Sequence, residues 1–168
     1  MRFFTFIISS PCIFSQLILI VLPMNLEKYT VVSDNDHFVY EFLSEGTKGN
    51  IKKLVLFQET SNNVFNLFFG DWDEFEEKII DDIRSNNNDR DKVLATVAST
   101  VIEFIKYYPD ALILARGSTA SRTRLYQMGI LANFDEINTL FEIEGYVEGK
   151  WCAFERGRNY SAFSIKAK

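Results

Sequence analysis

Residues 111–120 read ALILARGSTA and residues 121–130 read SRTRLYQMGI. The run from Ala111 to Ala115 is apolar on both faces, and a strand of that kind belongs in the interior of a sheet. Gly117-Ser118-Thr119 then makes a turn that opens a helix. Ser118 or Thr119 is expected to cap it, and Gly129 to end it. Arg116 precedes the turn, and Arg122 and Arg124 follow it. A helix N-terminus offers free amides and partial positive charge, so this strand-turn-helix carries both the topology of the domain and its candidate anion site.

Working back toward the N-terminus, residues 89–108 give the clearest helical pattern. Val93, Val97, Val101, Phe104 and Tyr108 recur at three- and four-residue spacing, and Leu94, Ala98 and Ile105 widen the stripe. Asn88 or Asp89 is the expected N-cap, Asp91 suits the first turn, and Pro109 stops the helix. Before it the sequence reads as strands. Phe38, Tyr40 and Phe42 alternate with Val39, Glu41 and Leu43; residues 50–58 and 64–70 form the next two runs. Gly46-Thr47-Lys48-Gly49 and Ser61-Asn62-Asn63 supply short turns, which make an antiparallel meander. Residues 71–84 fit a helix, a loop or a fourth strand, and a strand over residues 78–84 is the expectation. Downstream, Phe134 to Thr139 suggests a helical turn, and residues 141–147 and 160–166 read as two strands joined by a loop with Trp151 and Gly157. The order β-β-β-(β)-α-β-α-β-β predicts an α+β domain with two main helices packed on a mostly antiparallel sheet.

Composition narrows the function classes. The 168 residues are 47% hydrophobic and 15% aromatic, with 16 Phe, and carry a net charge of −5. That favours one folded domain over disorder and removes any general electrostatic drive toward nucleic acid or anionic membrane. The cysteines are Cys12 and Cys152 and the histidine is His37, which offer no zinc-ligand spacing. His37, beside Asp34 and Asp36, reads as a solvated turn residue. Asp71, Asp73, Glu74, Glu76 and Glu77 read as a solvated acidic loop without calcium-loop spacing. Asp81 and Asp82 are adjacent, and on a strand they face opposite sides. Trp72, Trp151, Phe154 and Tyr160 read as core packing rather than as a binding platform.

Residues 1–23 stand apart. Phe3 to Pro23 contains no charge, and Arg2 is the only charged residue before Glu27. Three readings are open: upstream sequence read in frame with Met24 as the true start, a membrane anchor, or a cleaved signal. Ser9, Ser10, Pro11, Ser15 and Gln16 dilute the apolar run. Residues 24–168 are expected to form a single domain, cytoplasmic unless residues 1–23 anchor it.

MNLEKY from Met24, EFLSEGTKGNIKKLV, VLATVASTV, YPDA, Gly117-Ser118-Thr119-x-x-Arg122-Thr123-Arg124-Leu125-Tyr126 and Phe154-Glu155-Arg156-Gly157 together resemble an uncharacterised bacterial domain family of about 145 residues. Where that family often shows Asn-Asn-Gly-Asp, this chain has Asn87-Asn88-Asp89, and Asn tolerates a left-handed backbone nearly as Gly does. The element order is also similar to the core of the GNAT-type N-acetyltransferases. Leu125-Tyr126 and Gly129-Ile130 resemble the last helix of that fold, whose Tyr often protonates the departing coenzyme A thiolate; Tyr126 is the matching position. The Tyr-to-Gly spacing is one residue short. Residues 85–91, where a glycine loop for the acyl-CoA pyrophosphate should lie, hold no glycine and two acids.

These readings imply a binding or interaction module without a resident cofactor or metal. Its anion site would draw on Arg116, Gly117, Ser118, Thr119, Arg122 and Arg124 and hold a small anionic ligand or a protein partner. The alternatives are a divergent acyltransferase, using acetyl-CoA with Tyr126 as the acid, and a component of a two-gene toxin–antitoxin-like system.

Overall fold

A computed structural model describes residues 27–80, 86–132 and 134–168. The apolar stretch 1–23 and the Asp81-Asp82 pair lie outside them. The chain builds β1 (Val31–Ser33), β2 (Val39–Gly46), β3 (Gly49–Ser61), β4 (Val64–Asp73) and β5 (Lys78–Ile80). These are followed by α1 (Arg90–Tyr107), β6 (Leu112–Ala115), α2 (Ala120–Ala132), α3 (Phe134–Leu140), β7 (Phe141–Val147), β8 (Lys150–Ala153) and β9 (Ala162–Ala167). This is the expected α+β arrangement, a mostly antiparallel sheet with two main helices.

The sheet order is β1-β2-β3-β4-β6-β9-β7-β8, with β5 on β4 off that path. β4 and β6 run parallel, Val64 facing Leu112 and Leu67 facing Ala115. The other pairs are antiparallel. β6 is therefore interior, between β4 and β9, as its two-sided apolar character requires. Past Leu67, β4 continues while β6 ends, and β5 joins β4 only at Asp71–Asp73. The sheet parts between them.

Both main helices lie on one face. Tyr40, Phe42, Val55, Phe57, Phe65, Ile113 and Phe163 point inward and are buried. Phe104 of α1 stacks on Phe57 at 4.0 Å and meets Phe65 edge-on at 5.0 Å, geometries worth about 0.5–1.5 kcal/mol each beyond the buried area. On the opposite face Leu43 and Phe68 are exposed. Among the described residues, no helix is long and apolar enough to cross a membrane.

Several details differ from the sequence expectation. β4 extends to Asp73, so Asp71 and Asp73 sit on a strand, and the acidic run ends in the tight turn to β5. Asp73 shapes that turn by accepting the Phe75 and Glu76 amides at 2.8 and 3.0 Å. Those bonds, that to Glu76 foremost, hold its carboxyl below the usual range. α2 runs past Gly129 to Ala132. β1 and β8 are short edge strands that the sequence reading did not include. His37 is not a free turn residue: its ring stacks on Tyr107 at 3.6 Å, and Nδ1 lies 3.8 Å from Glu103.

Candidate functional site

The parting of the sheet creates the site. Open α/β sheets bind ligands in the crevice beyond the carboxyl ends of parallel strands, and here that edge of β4 and β6 also receives the N-termini of α1 and α2. A polar cleft of about 1380 Å³ opens there, with Gly70 and Asp71 of β4, residues 86–94 and Ser121, Arg122 and Arg124 in its walls. A second, apolar cleft of about 410 Å³ continues beneath it between the two helices and the sheet. Phe69, Leu94, Leu125, Tyr126 and Met128 belong to both.

At the start of α1 the polar groups are spent on the fold. Asp89 is the N-cap position but makes no side-chain cap bond. Its carboxylate instead accepts the Ser44 hydroxyl at 2.5 Å and the Tyr29 hydroxyl at 2.9 Å. Burial raises the Tyr29 hydroxyl above its ordinary value; the Glu45 backbone bond opposes that rise and Asp89 adds to it. Asn87 is buried and clamps the β2–β3 hairpin: its amide donates to Ser44 Oγ and Gly49 O, both at 3.0 Å, and its Oδ1 accepts the Lys48 amide at 2.8 Å. Asn88 takes φ 63°, the left-handed conformation expected where a glycine is more usual.

At the start of α2 the turn is folded shut. Gly117 is buried and its amide donates to Thr123 Oγ1 at 3.2 Å. A Cβ on Gly117 would stand 2.4 Å from the Thr123 nitrogen, so only glycine fits. Thr119 is the cap: its hydroxyl accepts the Arg122 amide at 3.3 Å. Ser118 is exposed. Arg116 is exposed and has no ion pair among the described residues. Arg116, Gly117, Ser118 and Thr119 line neither cleft, whereas Arg122, Arg124 and Tyr126 do. The structure thus brings together the helical half of the candidate set and leaves the turn half outside.

The polar cleft holds charges of both signs. Arg90 pairs with Asp91 at 2.9 Å and Lys92 with Glu27 at 3.4 Å. Lys53, buried on β3, donates to Asp71 on β4 and lies 5.9 Å from the centre of the Phe69 ring. Burying both charges is costly unless they stay paired. Lys53 is one of two adjacent lysines, Lys52 and Lys53, near the start of β3. Its parity with Val55 and Phe57 was the signal that it faces inward, while Lys52 pairs with Glu41 at 2.9 Å on the other face. Arg124 donates to Asn159, a neutral side chain, and no carboxylate pairs with it among the described residues. No cluster of His, Cys, Asp or Glu that could hold a metal occurs among the described residues.

Residues 25–168 match a family of unknown function (DUF6934). The chain belongs to that family. No curated protein and no solved structure gives a significant match. The matched residues include every described element that lines the two clefts.

Proposed function

We propose that the domain is a binding module for a small anionic ligand, held at the mouth of the cleft by Arg122 and Arg124. The observation that carries this is Arg124, a cation in the cleft wall whose hydrogen-bond partner is neutral. It sits in the first turns of α2, where the helix dipole also favours an anion. A guanidinium is suited to phosphate or carboxylate because its donors form a planar fork. Lys53 and Arg90 are paired with acids, whereas Arg124 has no carboxylate partner among the described residues, so Arg124 supplies the charge.

A thermal-shift measurement on the full chain tests this. Phosphate or pyrophosphate should raise the melting temperature, by the equivalent of about 2.7 kcal/mol at a hundred times Kd. Arg122→Ala and Arg124→Ala should each reduce the shift, and Arg116→Ala should leave it in place. No shift with either anion overturns the reading.

A second reading, a divergent acyl-CoA-dependent acyltransferase, is favoured by one specific arrangement. β4 and β6, the one parallel pair among the described residues, flank α1 in the chain, and Tyr126 stands in the wall of both clefts. Against it, the α1 N-terminus carries Asp89 and Asp91, and its preceding turn is occupied by the β2–β3 hairpin. Acetyl-CoA at saturating concentration should then stabilise the chain, and absence of any stabilisation sinks this alternative.

A further inference from the structure

We infer that the ligand is amphipathic: a single unbranched acyl chain lies in the apolar cleft, and its carboxylate reaches the arginines at the polar mouth. This rests on the anion-binding reading above and names the class of molecule that would use it.

The apolar cleft is walled by Leu67, Leu94, Val97, Leu125, Ile130 and Phe163, drawn from both helices and from the inner face of the sheet. Its volume of about 410 Å³ falls within the range of small-molecule sites. The cleft is long enough in its apolar lining, from Leu94 and Leu125 to Phe141 and Ile165, to take an acyl chain. The two clefts adjoin, sharing Phe69, Arg90, Asp91, Leu94, Leu125, Tyr126 and Met128 in their walls, so a chain entering past Tyr126 and Met128 would leave its head group on the side of Arg122 and Arg124. A purely polar anion would leave the apolar part unfilled, and a purely apolar molecule would have no use for the arginines.

Gly129 is the second observation. It lies inside α2, where glycine is worse than alanine for helix stability, and it lines the apolar cleft. A Cβ built on it would meet nothing within 4 Å. Neither a positive φ nor a close backbone approach demands glycine here. Its effect is to keep room beside the helix.

The test is calorimetric titration of the full chain with hexanoate, octanoate and decanoate, below their micellar concentrations, and with inorganic phosphate. Each buried methylene should tighten binding about fourfold, so decanoate should bind about fifteenfold tighter than octanoate. Decanol should bind more weakly than decanoate, and Arg124→Ala should narrow that gap. Gly129→Leu, which fills the room beside the helix, should abolish decanoate binding and spare phosphate binding. If that variant does not fold, Ala98→Phe on the facing wall of α1 repeats the experiment. Phosphate binding with no dependence on chain length overturns the acyl inference and leaves the anion reading standing. Decanoate binding unchanged in the blocked variant, or decanol binding as tightly as decanoate, also overturns it. If neither phosphate nor decanoate binds, both readings fall.

Discussion

α1 and α2 lie on the same face of the same sheet, but they are held there by different physics. α1 buries an apolar stripe of Val93, Ala95, Val97, Val101, Phe104 and Ile105, with Thr96 and Thr100 beside it, on the aromatic floor of β2, β3 and β4. α2 buries only Thr123 and Gln127, both polar. Thr123 ties the helix to its own preceding turn. Gln127 ties it to the β8–β9 loop, donating to Arg158 O at 2.5 Å and accepting the Tyr160 amide at 3.3 Å. The apolar residues of α2, Leu125, Tyr126 and Ile130, remain half-buried along the cleft. α1 is thus seated in the core by an apolar face, whereas α2 joins two hydrogen-bonded polar anchors to the packing of Tyr126, Ile130 and Leu131 against the core, and lines the clefts.

That contrast can be broken by substitution. Phe104→Ala removes the ring stacked on Phe57 and should cost about 3–5 kcal/mol, read as a lower midpoint in urea unfolding. Gln127→Ala leaves the buried Tyr160 amide and the Arg158 carbonyl without their partner. It should cost about 1–3 kcal/mol and raise hydrogen exchange in α2 ahead of α1. Equal losses from both substitutions, with uniform exchange, would refute the division between core and wall.

Tyr40 gives the smallest effect and sharpens the α1 side. Its hydroxyl is buried and makes no hydrogen bond among the described residues. Burial, and then Glu103, push its ionisation well above the ordinary tyrosine value. A folded value raised above the unfolded one means the stabilisation is complete below about pH 10 and is lost as pH rises through the folded value. Tyr40→Phe should therefore flatten the alkaline loss of stability. At neutral pH it should be neutral or stabilising by up to about 1 kcal/mol, since an unpaired buried hydroxyl is removed. A marked destabilisation at pH 7 would show that the hydroxyl has a structural use.

Much of this was legible before any coordinates. The spacing of Val93, Val97, Val101 and Phe104 is the packed face of α1, and the two-sided apolar character of Ala111–Ala115 is the interior position of β6. The edge strands were not legible. Val31–Ser33 and Lys150–Ala153 are too short to show a period and exist because β2 and β7 offer them a ladder. Asp89 looked like a helix cap, and its carboxylate is instead drawn away by Ser44 and Tyr29, residues far off in sequence. In the candidate site, Arg122, Arg124 and Tyr126 reach the clefts. Arg116 through Thr119 do not, because Thr123 folds the turn back on the helix.

The sequence by itself determined the elements and their order, because helical and strand periods are local and a strand apolar on both faces has only one kind of place to go. It also narrowed the cap of α2 to Ser118 or Thr119, because a cap bond joins residues close in sequence. Only the tertiary structure decided which side of α2 faces the cleft. The hydrophobic pattern of that helix is weak, and the contacts that orient it are long-range: Gln127 bonds to Arg158 and Tyr160, more than thirty residues away, and Tyr126, Ile130 and Leu131 pack against the core. In that orientation Arg122 and Arg124 stand in the wall of the polar cleft.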